Sequence, residues 1–493
     1  MDAAAGNSSC QQQKGRKGNR SRSWPRPPLW SPPPAIAVVA GVDPHRHRHR
    51  HRHRHRRGCR GWILLNSGAH IGSRSNATTA VGEARDKLTI EVSLWPAQPP
   101  HPSDVFVCCP GVRHPRESEI LFTAQDLLLL RVPVAAGAAP SLISFTECDY
   151  LIYRAAAGDR RPSLTLLPNP KPNYFHDGDV GILPRGGGEY TVAALVARRR
   201  AGGRWTTKTV WMDDPRRPPP VEIPINARRL NHHITTTTIT LGGELAGAMG
   251  WVDLWTGILI YDLLHDDKDQ DRPTLRHMPL PLPMHAITGN HGMGDKLALG
   301  CPRSLRGIAS VTRRGKACLK LAGVHVTGER LPYNDAETQL PAFAVDDWTV
   351  TTWSNDKMKG YFEDWQEDFT IRGSEVRISN AMRSDLLRSG LLYRKPSRGD
   401  GDEATVEELA LHNLWVSHPT PSLDGEEDVI YLLAKPKCFH PKAWVLALDT
   451  RSSTLLGVVE FGTETAPSAG VTYRPSTISK YMSLVTSPVT GRT

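Results

Sequence analysis

Three groups of residues in this chain have types and spacings that chemistry could use. Asp267, Asp269 and Asp271 stand at the 1-3-5 spacing of a calcium loop, within the run Asp266-Asp267-Lys268-Asp269-Gln270-Asp271. Such a loop needs glycine at its sixth position for a sharp turn and a bidentate glutamate at its twelfth. Those positions hold Arg272 and Met278, so a solvated connection after a buried strand explains the run better. Gly243, Gly247 and Gly250 are spaced much like the glycines of a nucleotide-binding turn. That fingerprint requires a helix after the glycines. Here a strand-like run with two tryptophans comes next, which points to tight β-turns instead. His232, His233, His277, His285 and His291 lie at no metal-ligand spacing, and adjacent strand residues such as His232 and His233 point to opposite faces.

The recognisable catalytic patterns are missing. There is no H-E-x-x-H, no G-x-S-x-G, no G-x-x-x-x-G-K-[ST] and no Cys/His pair with local support. The sequence therefore assigns no catalytic, cofactor-binding or metal-ligating residue and implies no cofactor. A catalytic set gathered from distant Asp, Glu and Ser residues stays open. The eight cysteines are scattered without a C-x-x-C pair, as expected of buried thiols in a reducing compartment. Thirteen tryptophans could stack on sugars or bases. However, Trp251, Trp255, Trp348, Trp353, Trp365 and Trp444 lie inside strand-like runs, where aromatic rings pack between sheets.

The net charge of +11 over 493 residues suggests nucleic acid or a membrane surface until its distribution is considered. Residues 1–60 hold 14 Lys/Arg against two acids, and residues 61–493 hold 47 basic against 48 acidic. The excess is confined to an N-terminal arm. That arm contains a Pro-rich stretch and a tract, His45 to Arg57, in which histidine and arginine alternate. With few apolar residues to bury, it is expected to be disordered. Its apolar run Ala35 to Ala40 is far below the roughly 20 residues of a membrane-spanning helix. Prolines before this run and cations after it argue against a secretory signal. Residues 14–57 could hold nucleic acid without sequence preference, or be a low-complexity expansion with no role. The expected location is nuclear or cytoplasmic, not secreted and not in a membrane.

From Gly61 onward, short apolar runs alternate with Gly/Pro/Asp/Ser-rich breaks. Trp62–Leu65, Leu88–Leu94, Tyr190–Val196, Trp205–Trp211, Trp348–Trp353 and Val429–Leu433 read as strands. Two strand–turn–strand units echo one another, Trp251–Leu263 and Trp444–Phe461. These patterns predict an all-β fold with minor helix: a β-propeller-like repeat of antiparallel strands over 61–493, with room for six to eight blades. Two stacked sandwiches are the alternative. Thr405 to Glu408 matches a helix-capping box leading into Leu409-Ala410-Leu411. Ala381–Leu392 has helical spacing limited by Gly390. Ala124–Arg131, with four consecutive leucines, fits a helix or a buried strand equally well.

The segment Gly250 to Leu264, "GWVDLWTGILIYDLL", resembles the hallmark of the plant family called domain of unknown function 1618, abundant in grasses. Further similar pieces occur in the family's order. They include Trp62–Asn66, Tyr150–Ala155 with Pro162–Leu164 and Leu166–Pro168, Asp179–Leu183, Leu275–Pro283, Asp347–Val350, Asp428–Tyr431 and Ile478–Tyr481. The resemblance covers roughly 61–493 and is densest over 250–390. Where the family tends to have Arg-Asp-Ile-Ala, this chain has Arg306-Gly307-Ile308-Ala309. The resemblance implies no catalytic residues. The leading expectation is a non-enzymatic scaffold whose partner is another protein. The alternatives are a nucleic-acid-associated regulator acting through the arm, and an enzyme with a non-local site at a propeller's centre.

Overall fold

A computed structural model describes residues 35–42, 61–110, 118–134, 148–157, 160–196, 204–212, 233–242, 245–264, 274–281, 301–392, 394–396, 406–408, 410–461 and 472–482. The fold is mostly β. Among the described residues, successive stretches of chain form six groups of mostly antiparallel strands in a propeller-like order, with Ile63–Asn66 and Pro102–Cys108 paired in parallel. The first combines Tyr473–Ser476 with Ile63–Asn66, Pro102–Cys108, Thr89–Trp95 and Ala80–Glu83. The second is Ser118–Ala124, Leu127–Pro133, Cys148–Arg154 and Ser163–Leu166; the short strand Gly68–Ile71 bridges it to the first, giving ten strands in one sheet. The third is Val180–Gly186, Glu189–Val196, Ala35–Val42 and Thr206–Thr209. The fourth is Thr237–Thr240, Ala248–Asp253, Gly257–Asp262 and Thr274–Pro279, with Trp211–Met212 on its edge. The fifth is Arg306–Arg313, Lys316–Asn334, Pro341–Asn355 and Gln366–Arg372. The sixth is Trp415–Pro421, Val429–Lys435, Ala443–Asp449 and Thr454–Phe461.

Middle strands such as Cys148–Arg154, Ala248–Asp253 and Val429–Lys435 are buried along their whole length. Each sheet is covered on both faces by its neighbours, so these strands carry continuous apolar runs rather than alternation. The four leucines Leu127–Leu130 show the consequence. Leu128 and Leu130 pack with Ile63, Val92 and Val105 of the first sheet. Leu127 and Leu129 face the other way, onto Val180, Val192 and Ala37 of the third. The run is a strand buried on two sides, preceded by a turn at Gln125-Asp126. Similar cores join the fourth sheet to the fifth, the fifth to the sixth and the sixth to the first.

Both expected hairpins are present, with Trp251 opposite Leu259 in one and Trp444 opposite Glu460 in the other. They are not equivalent, because the first supplies the middle strands of its sheet and the second the last two. The helix Asn380–Arg388 forms as expected, capped by the Ser379 hydroxyl and followed by Gly390 at φ +76°. The helix expected after Thr405 does not form. Thr405 lies outside the described residues, Val406–Glu408 is a strand paired with Arg394–Pro396, and Leu411–Asn413 makes a single 3-10 turn. Local capping chemistry loses there to strand pairing.

A second correction concerns the arm. Its apolar run forms the strand Ala35–Val42, which pairs with Glu189–Val196 on one side and Thr206–Thr209 on the other. Ala35, Ile36 and Ala37 are fully buried, so the boundary expected at residue 60 divides a sheet from one of its own strands. The run is short for a membrane but the right length for a vacant place between two strands. The His/Arg tract lies outside the described residues, as do Asp266–Asp271, His232, His285 and His291. Ala37→Asp would bury a carboxylate inside the third sheet and should lower unfolding stability by about 3 kcal/mol or more. An unchanged denaturation midpoint would show that this strand is not part of the folded sheet.

Candidate functional site

Six contacts close the sheets into a ring. Tyr473 Oη donates to the His418 carbonyl at 3.4 Å, linking the first sheet to the sixth, and the Ser476 and Thr123 hydroxyls meet at 2.6 Å, linking the first to the second. Arg131 ties the second sheet to the entry of the third through Asp177 at 3.1 Å. Trp251 Nε1 donates to the Asp179 carbonyl at 2.7 Å, joining the fourth sheet to the third. Arg303, just before the fifth sheet, donates Nε to the Thr236 carbonyl at 2.7 Å, just before the fourth. Gly307 packs directly against the Pro419 carbonyl, joining the fifth sheet to the sixth.

The residues at these seams form a grouping of chemically capable side chains. One guanidinium, that of Arg474, lies within electrostatic reach of Glu119 in the second sheet, Asp177 just before the third and Arg303 just before the fifth. Only a position near a common axis is close to four sheets at once. Arg131 holds Glu119 at 2.8 Å and Asp177 at 3.1 Å. Burial pushes the Asp177 and Asp179 carboxyls above the usual carboxylate range. Burial also lowers Arg303, and it brings Arg474 down to about 9 with the Arg303 cation contributing. Burial, helped by the Lys435 and Arg303 cations, holds the His418 imidazole down at about 4. His418 itself sits at φ +55° in a bulge between Ser417 and Thr420, its Nδ1 3.0 Å from the Ser417 hydroxyl. The arrangement can bind charge. Glu119 and Asp177 share Arg131, and the same two carboxylates act on Arg303 and Arg474.

The "WVDLW" segment builds the wall of this ring. Trp251 and Trp255 are buried. Asp253, fully buried, accepts from the Trp255 and Ile234 amides at 3.0 and 2.8 Å and so fixes the turn between the two strands. Arg306 is buried too and donates to the Leu254 and Pro281 carbonyls at 2.6 and 2.7 Å, locking the fifth sheet onto that turn. A family model described as a protein of unknown function (DUF1618) matches residues 251–431, from this segment to Tyr431 in the sixth sheet. Residues 251–431 are a DUF1618 region. No curated protein matches the chain. The DUF1618 region thus contributes Arg303, Arg306 and His418 to the ring, while Glu119, Asp177 and Arg474 lie outside it.

No sequence motif marked this grouping, because Glu119 and Arg474 are separated by most of the chain. The places that the sequence did single out have other roles. Gly247, at φ +103°, makes a turn and Gly250 lies within a strand. Trp251, Trp348, Trp365 and Trp444 are core residues, as expected. Among the described residues no three His, Cys, Asp or Glu side chains group as metal ligands, and no helix is long and apolar enough to cross a membrane. The departure at Arg306-Gly307-Ile308-Ala309 has a steric cause. A Cβ on Gly307 would overlap the Pro419 carbonyl oxygen that the bulge at 417–420 pushes toward it.

Both Gly307 and His418 can be tested. Gly307→Ala should already cost about 2–4 kcal/mol in chemical denaturation, and Gly307→Asp little more, because the clash is with the first side-chain carbon. A neutral effect would remove the close seam. For His418, the unfolded chain takes up the proton near pH 6.5 and the folded chain only near 4. Its contribution to stability is therefore complete above about pH 6.5 and is lost as pH falls toward 4. Urea titrations at pH 7 and pH 5 should show a smaller loss for His418→Asn than for the unmodified chain; equal losses would place His418 in water.

Proposed function

We propose that this chain is a non-enzymatic protein-interaction scaffold of the plant type that the resemblance implies, working in the nucleus or cytoplasm, and that it recognises its partner with a hairpin arm of the fifth sheet. The carrying observation is the arm itself. The strands Lys316–Asn334 and Pro341–Asn355 continue well past their neighbours. Arg306–Arg313 pairs only as far as Gly323, and Gln366–Arg372 begins at the partner of Thr349. Beyond these points the two strands pair with each other alone among the described residues. Register shifts at Thr327/Gly328 and Arg330/Asn334 twist the arm, which discourages unselective edge pairing.

The arm is held in place rather than free. Lys437 Nζ lies 2.9 Å from both Asp335 oxygens and 2.7 Å from Glu337 at the tip, and Lys437 holds the Asp335 carboxyl down at about 2. Phe343 packs against Trp415 and Phe439 of the sixth sheet and its loop, with ring centres 5.7 and 6.3 Å apart. On this fixed element Tyr333 is 61% and Leu340 44% exposed. Apolar and aromatic side chains on a rigid projection lose little freedom on binding, which is how a recognition surface gains affinity.

The test is cross-linking of the full chain in extract, compared with a Tyr333→Ala/Leu340→Asp variant. Both substituted positions are exposed, so the variant should unfold within about 0.5 kcal/mol of the unmodified chain. It should lose a partner that the unmodified chain captures reproducibly. Identical capture by both, or turnover of a metabolite by the purified chain, would overturn the proposal.

A further inference from the structure

We infer that the hairpin arm of the fifth sheet binds a basic segment of a partner protein, one in which arginine or lysine residues flank an apolar anchor point. The inference rests on the reading of the arm as the recognition element and names the chemistry of what it recognises. Residues 324–348, which make up the arm, hold five carboxylates, Glu329, Asp335, Glu337, Asp346 and Asp347, against one arginine, Arg330. The body from residue 61 onward is almost neutral, so the arm is an acidic projection from it. At the tip Lys437 spans Asp335 and Glu337, one ammonium shared by two carboxylates. Glu329 and Asp346 are exposed, and neither has an ion-pair partner among the described residues.

The register decides which face is presented, because cross-strand partners share a face. Arg330 lies opposite Phe343, and Phe343 packs on Trp415 and Phe439 of the sixth sheet and its loop. Glu329 lies opposite Ala344 and so stands on the other face, turned away from that packing. The arm's arginine is thus on the packed side and an unpaired carboxylate on the open one. Tyr333 and Leu340, close to the tip, add exposed aromatic and apolar area. Rings of this kind anchor interfaces, while charge of one sign around them selects the partner and speeds its approach. Strand addition is the other way to dock on a hairpin, but the register shifts at Thr327/Gly328 and Arg330/Asn334 interrupt the regular pleat that it needs. Recognition therefore runs through side chains, and here these are carboxylates beside an aromatic ring. A basic segment with an apolar side chain complements both.

The experiment titrates the full chain into a labelled basic peptide, Arg-Leu-Arg-Arg-Leu-Arg, and into its acidic counterpart, Glu-Leu-Glu-Glu-Leu-Glu, and reads fluorescence anisotropy at low and at physiological salt. Saturable binding of the basic peptide is expected, weaker at the higher salt because exposed charges are screened. Glu329→Lys/Asp346→Lys should weaken it by about tenfold or more, and Glu329→Gln/Asp346→Asn by about threefold. The neutral pair carries the test should the reversed pair not fold. Glu363→Lys/Glu367→Lys, exposed and at the far end of the same sheet, should leave binding unchanged. Binding of the acidic peptide should not fall in any of these variants. The inference is overturned if the basic peptide does not saturate, or if the arm variants bind it as tightly as the unmodified chain. It is also overturned if a partner captured in extract is lost on Tyr333→Ala/Leu340→Asp yet kept by Glu329→Lys/Asp346→Lys; the arm then recognises a partner that is not basic. Capture kept by both variants overturns the reading of the arm itself. If the unmodified chain associates with itself and the reversed pair separates it, the occupant is a second copy and the inference falls.

Discussion

A sheet with two apolar faces cannot stand alone, and the whole structure depends on how the faces are paired without stranding their polar groups. Four tryptophans solve both parts of that problem. Each buries a large ring between sheets and ends in an N–H that needs an acceptor. Trp251 finds the Asp179 carbonyl, Trp365 the Pro279 carbonyl at 2.9 Å, Trp348 the Leu411 carbonyl at 3.0 Å and Trp444 the Ser389 carbonyl at 3.1 Å. In each case the acceptor belongs to a different element from the ring. These indoles act as directional struts, so a sheet cannot slide on its neighbour without losing a buried hydrogen bond of about 1 kcal/mol and leaving its donor unsatisfied.

Closing the ring sets the chemistry of its interior. The strand Tyr473–Ser476 comes from the far end of the chain and pairs with Ile63–Asn66, Arg474 lying opposite Leu65. The first strands of the second to sixth sheets touch one another in turn, which brings the residues beside them together. The apolar cores lie between sheets, and the charged residues collect where sheets converge. Bonds such as Arg303 to Thr236 and Arg131 to Asp177 therefore serve the seams as well as the centre.

Strand positions were legible in the sequence because burial on both faces writes continuous apolar runs, as at Val429–Leu433. The same feature hid the character of Leu127–Leu130, whose alternate side chains serve two different cores. The Thr405–Glu408 box misled because a three-residue strand leaves no periodic pattern to oppose it. The strand Ala35–Val42 was visible as an apolar run but not as a sheet member, since its partners at Glu189–Val196 and Thr206–Thr209 are about 150 residues away. The site was illegible for the same reason in stronger form. Glu119, Asp177, Arg303, His418 and Arg474 share no window of sequence, and each alone looks like an ordinary surface charge.

Bulk charge was an equally poor guide. The body from residue 61 onward is almost neutral, and the sequence pI reflects residues 1–60. Yet the described interior gathers Glu119 and Asp177 with Arg131, Arg303 and Arg474, a grouping that composition cannot express. Neutral bodies can hold strong local fields when a ring brings side chains from every sheet to one axis. His418 reports that field directly. Its imidazole is driven toward the neutral form by burial, by Lys435 of its own sheet and by Arg303 from the segment before the fifth sheet, so the field there needs two neighbouring sheets brought together.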